Sequence, residues 1–215
     1  MSEGAVPEFD AGFRAKLADL VVWRRDVRRF RTDPLPAGSI GRLLRLACLA
    51  PSVGLSEPWR FVLVEDPAKR QRIRDNFAAA NAEALASYSG EKAARYATLK
   101  LEGLAEAPVQ LAVFAEPDPE QGSKVGRRTM PETIAYSVVT AIHTLWLALR
   151  AEGIGMGWVS ILDPAPVARD LDVPLHWQFV GYFCVGYPMD FADTPELERI
   201  NWEKRADPNS FIFHR

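Results

Sequence analysis

The chain has 215 residues, of which 48% are hydrophobic and 25% charged, so it can bury a core and is not a disordered polypeptide. Its net charge of −2 at pH 7 argues against a general nucleic-acid binder or a protein of anionic membrane surfaces, because both need a basic surface. Two distant cysteines and an N-terminus without a secretory leader pattern predict a cytoplasmic protein with unreactive thiols. Three scattered histidines lack ligand spacing, so no metal site is predicted.

The N-terminal half of the chain predicts helices and one strand. Apolar residues recur at helical spacing in the helices, and a bulky apolar run after a turn-rich loop marks the strand. The predicted bounds are helices over about 10–23, 40–47, 67–87 and 90–105 and a strand over about 61–64. The pair of helices over 67–105 begins with Asp66 as cap and Pro67 at the first helical position. It is rich in Ala and charged residues, which suits a surface hairpin or a lid better than a core element.

The C-terminal half predicts strands around one long apolar helix. The predicted bounds are strands over about 109–114, 155–162 and 177–186 and helices over about 131–152 and 164–171. The helix over 131–152 is apolar on nearly every face, which predicts burial on all sides. In a chain of this size we expect such a helix to lie centrally, sandwiched at the interface of a homodimer. Residues 187–215 show little regularity and predict an extended arm that wraps a neighbour.

An arginine-rich run follows the first predicted helix. Its charged residues are Arg24, Arg25, Asp26, Arg28 and Arg29. Guanidinium groups fork around phosphate oxygens and stay charged at any pH of interest. A carboxylate would repel a phosphate, so a phosphate cradle alone does not explain Asp26. Taken alone, the run is also compatible with a solvated charged turn.

Three glycines, Gly153, Gly155 and Gly157, lie close together in the second half of the chain. A dinucleotide-binding fingerprint follows a strand and opens a helix, whereas these glycines follow a helix and open a strand. We therefore expect them to let a flat ligand approach the backbone closely.

Five segments follow one another in an informative order: Arg24-Arg25-Asp26-Val27-Arg28, Ala50-Pro51-Ser52-Val53-Gly54, Ser89-Gly90-Glu91, Leu99-Lys100-Leu101-Glu102-Gly103 and Gly157-Trp158-Val159-Ser160-Ile161. Taken together, they resemble the FMN-dependent nitroreductase family over nearly the whole chain, and within it the 5,6-dimethylbenzimidazole synthase branch. Ordinary family members usually have a small polar residue where Asp26 stands, Asn where Leu55 stands and Gln where Glu57 stands, which puts a standard reductase flavin site in doubt.

The resemblance implies an α+β fold with a mixed, mainly antiparallel sheet flanked by helices. It implies one domain over 1–215, with a helical lid over 67–105 and a C-terminal arm over 187–215, in an intertwined homodimer with the flavin at the interface. In this branch reduced FMN is the substrate and molecular oxygen the co-substrate, and the products are 5,6-dimethylbenzimidazole and erythrose 4-phosphate. An NAD(P)H-dependent flavin reductase would supply the electrons.

The resemblance also implies roles for individual residues. Asp26 matches the family's acid/base residue and Ser160 a second functional residue. The arginine run and Arg205 would hold the flavin phosphate, and the Pro51–Ser56 loop of the other subunit would line the ring. The arginines should lower the pKa of Asp26 and burial should raise it, and the sequence leaves that balance open. The full expected flavin site is Arg24, Arg25, Asp26, Val27, Arg28, Pro51, Ser52, Val53, Gly54, Leu55, Trp158, Val159, Ser160 and Arg205.

Two other functions remain open at this point. An NAD(P)H-dependent reductase of the same fold would retain FMN and consume NAD(P)H unaided. A flavin-binding module would bind FMN without any turnover, although a storage site has no use for the negative charge of Asp26 beside the phosphate.

Overall fold

The structure is a computed structural model that describes residues 6–97 and 103–215. Short 3-10 turns lie at Val53–Leu55 and Pro208–Phe211. The helices are α1 (Ala11–Trp23), α2 (Ser39–Ala47), α3 (Pro67–Ala86), α4 (Gly90–Ala97), α5 (Gly103–Glu106), α6 (Thr133–Ala151), α7 (Pro164–Asp170) and α8 (Glu196–Arg199), and the strands are β1 (Trp59–Leu63), β2 (Val109–Ala115), β3 (Gly155–Val159) and β4 (Gln178–Gly186).

The four strands form one sheet in the order β1-β2-β4-β3, and every pair is antiparallel. In the described part of the chain, the parallel contribution to this sheet is a single bridge between Asp26 and Met156. Because β3 is the last strand in the order, this bridge attaches the arginine-rich run to an otherwise open edge. The run therefore covers an edge strand and is held in a fixed place.

Helices cover both faces of the sheet. On one face α6 and α2 pack against side chains such as Leu111, Met156 and Phe183. On the other face Ile73 of α3 and Val167 of α7 belong to a second buried cluster. The predicted α+β class is thus confirmed, with a mainly antiparallel sheet between helices.

Helix α6 packs against the sheet as a core helix, although by length and composition it could cross a membrane. In the single chain its burial is one-sided, because Tyr136 is 58% exposed and Val139 40% exposed. One side of the helix packs against the sheet, and another reaches the surface of the single chain. The expected cover of that second side by a partner subunit stays a prediction.

Two predicted elements differ from the observed ones. The strand predicted over 155–162 ends at Val159, because the chain turns there toward α7, whose first turn Asp163 caps through the backbone N–H of Ala165. Of the helix predicted over 90–105, α4 accounts for the first eight residues and α5 for part of the end. The segment Leu99–Gly103 carried part of the resemblance, and its first four residues lie outside the described residues.

Apolar side chains are exposed at both ends of the chain. Helix α1 contains no buried residue, and Phe13 and Val21 are 45% and 50% exposed. Near the C-terminus Phe211 and Phe213 are 69% and 73% exposed. The single chain thus leaves apolar side chains uncovered at both ends.

Candidate functional site

The arginine-rich run is fixed to β3 by backbone and side-chain hydrogen bonds. The N–H of Val27 donates to the carbonyl oxygen of Met156 at 3.1 Å. The carboxylate oxygen Oδ1 of Asp26 accepts a hydrogen bond from the N–H of Trp158 at 2.8 Å. Because a backbone donor of the sheet fixes it, the Asp26 carboxylate has a defined position and one oxygen left for other partners.

The glycines of β3 explain how the run comes so close. A Cβ atom on Gly157 would collide with the carbonyl oxygen of Val27, and one on Gly155 would lie 2.7 Å from Cγ2 of Val27. Close backbone approach was expected here, and in the single chain the group that approaches is Val27. The glycines make room for the chain's own arginine-rich run.

A cavity of about 210 Å³ lies beside the run. Arg205, from near the C-terminus, joins the arginines of the run in its wall, so the structure brings together the residues that the resemblance assigned to a phosphate. The guanidinium of Arg24 also lies 4.9 Å from the ring centre of Trp146. The lining residues are Arg24, Arg25, Asp26, Arg28, Pro195, Glu196, Leu197 and Arg205.

The guanidinium groups that line the cavity repel one another. Burial lowers the pKa of Arg24; the charge of Asp26 raises it, and the charge of Arg205 lowers it to a smaller extent. The pKa of Arg25 is lowered by burial and by the positive charges of Arg24 and Arg205. Guanidinium groups that destabilise one another in this way are stabilised by an incoming anion.

The charges of the cavity match a phosphate monoester. Its wall holds four guanidinium groups and two carboxylates, an excess of two positive charges, and a phosphate monoester carries close to two negative charges at pH 7. The second carboxylate is Glu196, which the sequence reasoning missed. No motif surrounds it, since α8 lies in a segment of little regularity, and only the folded chain places it beside Arg28.

The sequence left open whether burial or the neighbouring arginines dominate the pKa of Asp26, and in the structure burial dominates. The side chain is 39% exposed, yet its carboxyl group is crowded by protein atoms, and this burial raises its pKa. The hydrogen bond from Trp158 and the charges of Arg28 and Arg24 act in the opposite direction and do not cancel the effect. Asp26 therefore holds its proton more tightly than an ordinary aspartate.

Ser160 is the first residue after β3 and is exposed. It lies two residues after Trp158, a distance of about 7 Å in extended chain. The N–H of Trp158 is the group that donates to Asp26. Among the described residues its hydroxyl forms no hydrogen bond. The hydroxyl is therefore available to a ligand near Asp26.

The loop Pro51–Ser56 lies elsewhere in the single chain. The N–H of Val53 donates to Oγ of Ser137 at 3.0 Å, near the start of α6. The arginine-rich run contacts the other half of α6, where Nε1 of Trp146 donates to the carbonyl oxygen of Arg25 at 3.3 Å. These positions are about 13 Å apart along the helix axis. One chain alone does not bring the expected ring-lining loop to the arginine cavity.

This loop has a strained backbone. Gly54, Leu55 and Glu57 have φ angles of 55°, 55° and 43°, and the left-handed region is unfavourable for the latter two. The side chain of Gln121 supports it, since Nε2 donates to the carbonyl oxygen of Leu55 at 2.7 Å and to Oε2 of Glu57 at 2.9 Å. The result is that Leu55 is presented to solvent, with 68% of its surface exposed.

An aromatic cluster joins the predicted lid to the C-terminal segment. The rings of Tyr88 and Tyr96 are 4.9 Å apart, and that of Trp202 packs edge-on against Tyr88 at 5.8 Å. Trp202 lies three residues before Arg205. The region of α3 and α4 is thereby connected to the segment that contributes to the arginine cavity.

Comparison with known proteins agrees with this geometry. Residues 21–187 match the model of the nitroreductase family. A 5,6-dimethylbenzimidazole synthase of Rhodospirillum rubrum is 56% identical over 93% of this chain and 94% of its own length. One of Rhodobacter capsulatus is 48% identical over 91% of this chain and 95% of its own.

The fold is also found among solved structures. Iodotyrosine deiodinase bound to FMN and 3-iodo-L-tyrosine superposes with a TM-score of 0.69 and 28% identity, covering 82% of this chain and 91% of that one. Sequence and fold comparisons therefore confirm the resemblance drawn from the arginine run and the β3 segment: the chain belongs to the nitroreductase family.

Proposed function

We propose that this protein is a 5,6-dimethylbenzimidazole synthase, which fragments reduced FMN with molecular oxygen to 5,6-dimethylbenzimidazole and erythrose 4-phosphate. The observation that carries the proposal is the carboxylate of Asp26, fixed by the N–H of Trp158 inside a cluster of four arginines. The relatives at 48% and 56% identity are named for this activity and match over nearly their whole length.

The arginine cavity is the proposed site of the FMN phosphate. Arg24, Arg25 and Arg205 surround it, and its two excess positive charges complement the phosphate dianion. The glycines of β3 hold this cluster beside Trp158, Val159 and Ser160, where the flavin would extend from its phosphate. These residues fit a phosphate-bearing flavin.

Asp26 is the proposed acid/base residue, acting at the ring or the first ribityl carbon. Burial raises its pKa toward the working pH, which is the direction that makes a carboxyl group more useful for proton transfer at neutral pH. Ser160 would hold a substrate hydroxyl or a water by hydrogen bonding. The reduced flavin supplies the electrons for the oxygen chemistry, so the protein has to bind it, exclude water and move protons.

A homodimer completes the proposed site. The loop Pro51–Ser56 lies away from the arginine cavity of its own chain, so we assign it to the cavity of a partner subunit. The exposed apolar side chains of α1 and of the C-terminal arm support this arrangement, since a second copy would cover them. The helices within 67–105 would act as the lid, and a cytoplasmic NAD(P)H-dependent flavin reductase would supply reduced FMN.

A product assay tests the proposal. Purified protein, FMN, NADPH and an unrelated flavin reductase are mixed in air, and 5,6-dimethylbenzimidazole is measured by mass spectrometry. Product that requires this protein, the reductase and oxygen is expected. Intact FMN together with NADPH oxidation by this protein alone would establish the FMN-retaining reductase instead. Intact FMN without any turnover would leave a flavin-binding module.

A further inference from the structure

Glu196 and Asp26 flank the same guanidinium group. The Nε atom of Arg28 lies 3.5 Å from Oε2 of Glu196 and 3.8 Å from Oδ2 of Asp26. The Arg28 side chain is only 14% exposed, whereas the two carboxylates are 30% and 39% exposed. A nearly buried cation is therefore shared by two partly exposed anions that come from distant parts of the chain.

Neither carboxylate forms a hydrogen bond with the Nε atom of Arg28. Its Nε is buried and has no hydrogen-bond partner within the described residues, because both oxygens lie beyond the usual range of an N–H···O bond. A buried donor left without a partner is unfavourable. The guanidinium of Arg28 thus lies between the two carboxylates, and a small movement would bring it into a close ion pair with either one.

We propose that Glu196 is a positioning residue of this site, which holds Arg28 back from a close ion pair with Asp26 and keeps the second oxygen of Asp26 open to the cavity. The inference rests on the proposed function, in which Asp26 transfers protons. It adds a second acidic residue to the site, carried by α8.

Glu196 and the other groups around Asp26 together determine the pKa of the Asp26 carboxyl group. Within the described part of the site, Glu196 is the one anion whose charge raises the pKa of Asp26. Without it, Arg28 could move onto Asp26, and a close guanidinium favours the ionised carboxylate. Two further groups on or beside the arginine-rich run face Asp26, namely Arg24 and, next to it, Arg205. The sheet contributes the N–H of Trp158 on β3 and the thiol of Cys184 on β4. Burial raises the pKa of the Cys184 thiol to about 12, so this group is neutral.

The test follows the Asp26 carboxyl group directly, in the flavin-free protein. Its ¹³C resonance, identified as the one lost in Asp26→Asn, is titrated in the native protein, in Glu196→Gln and in the control Glu198→Gln. Glu198 lies on the same helix but does not line the cavity. The expected result is a midpoint that moves to lower pH in Glu196→Gln and stays unchanged in Glu198→Gln. An unchanged midpoint in Glu196→Gln would overturn the proposal.

A second experiment, in the Arg28→Met variant, distinguishes an effect of Glu196 through the position of Arg28 from direct charge repulsion between Glu196 and Asp26. In Arg28→Met the effect of Glu196→Gln on the Asp26 midpoint should shrink, because no guanidinium remains to move. An undiminished effect would mean that Glu196 acts only through its own charge, and the positioning role would be wrong. Neither titration needs flavin turnover, so the result stands apart from the product assay. In the active enzyme, the limb of the pH–rate profile that Asp26 controls should move in the same direction.

Discussion

The Asp26 carboxylate accepts its hydrogen bond from the backbone N–H of Trp158, at 2.8 Å. One oxygen of this side chain is thereby used to fix the arginine-rich run to β3, and the other faces the guanidinium of Arg28. The same residue has a structural contact and a chemical one. The two are separable by substitution, because an amide can keep the first and lacks the charge of the second.

Asp26→Asn should abolish product formation while FMN still binds. The amide oxygen can accept from Trp158 as the carboxylate does, and the loss of a negative charge beside the phosphate should tighten FMN binding by up to about tenfold. Loss of a proton-transferring group typically slows the reaction by roughly 10²–10⁴-fold. Fluorescence titration of FMN and the product assay measure the two effects. Asp33→Asn is the control, since Asp33 is exposed and pairs with Arg31. Joint loss of folding and binding would make Asp26 a structural residue.

The same pair of variants should show opposite pH dependence of stability. Burial raises the pKa of Asp26 in the folded protein, so its contribution to stability is full below the unfolded pKa of about 3.9 and is lost as the pH rises through the folded value. Asp26→Asn should therefore gain stability relative to the native protein as the pH rises.

For Asp33 the sign is reversed. The hydrogen bond from Arg31 lowers its pKa, so its contribution is present above the unfolded pKa and is lost as the pH falls through the folded value. Asp33→Asn should lose stability relative to the native protein near neutral pH and recover it in acid. Urea unfolding at several pH values measures both. Parallel curves for the two variants would contradict the assignment of Asp26 as a buried acid.

Gly157→Ala should detach the arginine-rich run from β3. The new Cβ would collide with the carbonyl oxygen of Val27, so the run or the strand must move, at a cost of roughly 2–3 kcal/mol in the free energy of unfolding. FMN binding should fall with it, since Asp26 and the arginines move together. Gly41→Ala is the control: its Cβ has ordinary space within α2, and the change should stabilise by about 0.5–1 kcal/mol. Native FMN affinity in Gly157→Ala would show that the close approach is not needed.

The sequence predicted those parts of the fold that depend on local signals. Helix α3 begins at Pro67 because Asp66 caps it, and α7 begins at Pro164 because Asp163 does, and both are visible as residue patterns. The place of Glu196 is not local, because it depends on a C-terminal segment that folds back onto the arginine-rich run. Gly157 lies between these two cases, since it combines a local signal with a contact that depends on the folded chain. Its lack of a side chain indicates a close approach, but the approaching group is known only from the folded chain.

Ser160→Ala should slow product formation without changing stability. Ser160 lies beyond the end of β3 and is exposed, so removal of its hydroxyl breaks no hydrogen bond of the described chain. If the hydroxyl positions a substrate group or a water, the rate should fall by about tenfold or more. Ser87→Ala is the contrasting control for stability, because that exposed hydroxyl does bond the protein, at the carbonyl oxygen of Ala84 at the end of α3. Unchanged turnover in Ser160→Ala would remove it from the site.

Arg205→Gln should weaken the binding of FMN and leave riboflavin almost unaffected. Arg205 lines the cavity with Arg24 and Arg25, and a charge-assisted hydrogen bond to phosphate contributes about 1.5–3 kcal/mol, which corresponds to roughly 10- to 100-fold in affinity. Riboflavin has no phosphate, so the ratio of the two dissociation constants isolates this contact from any general damage to the site. Arg215→Gln at the exposed C-terminus is the control for loss of one positive charge. An equal loss of affinity for both flavins would place Arg205 at the ring or in the fold, and the phosphate would then have to be held by the arginine-rich run alone.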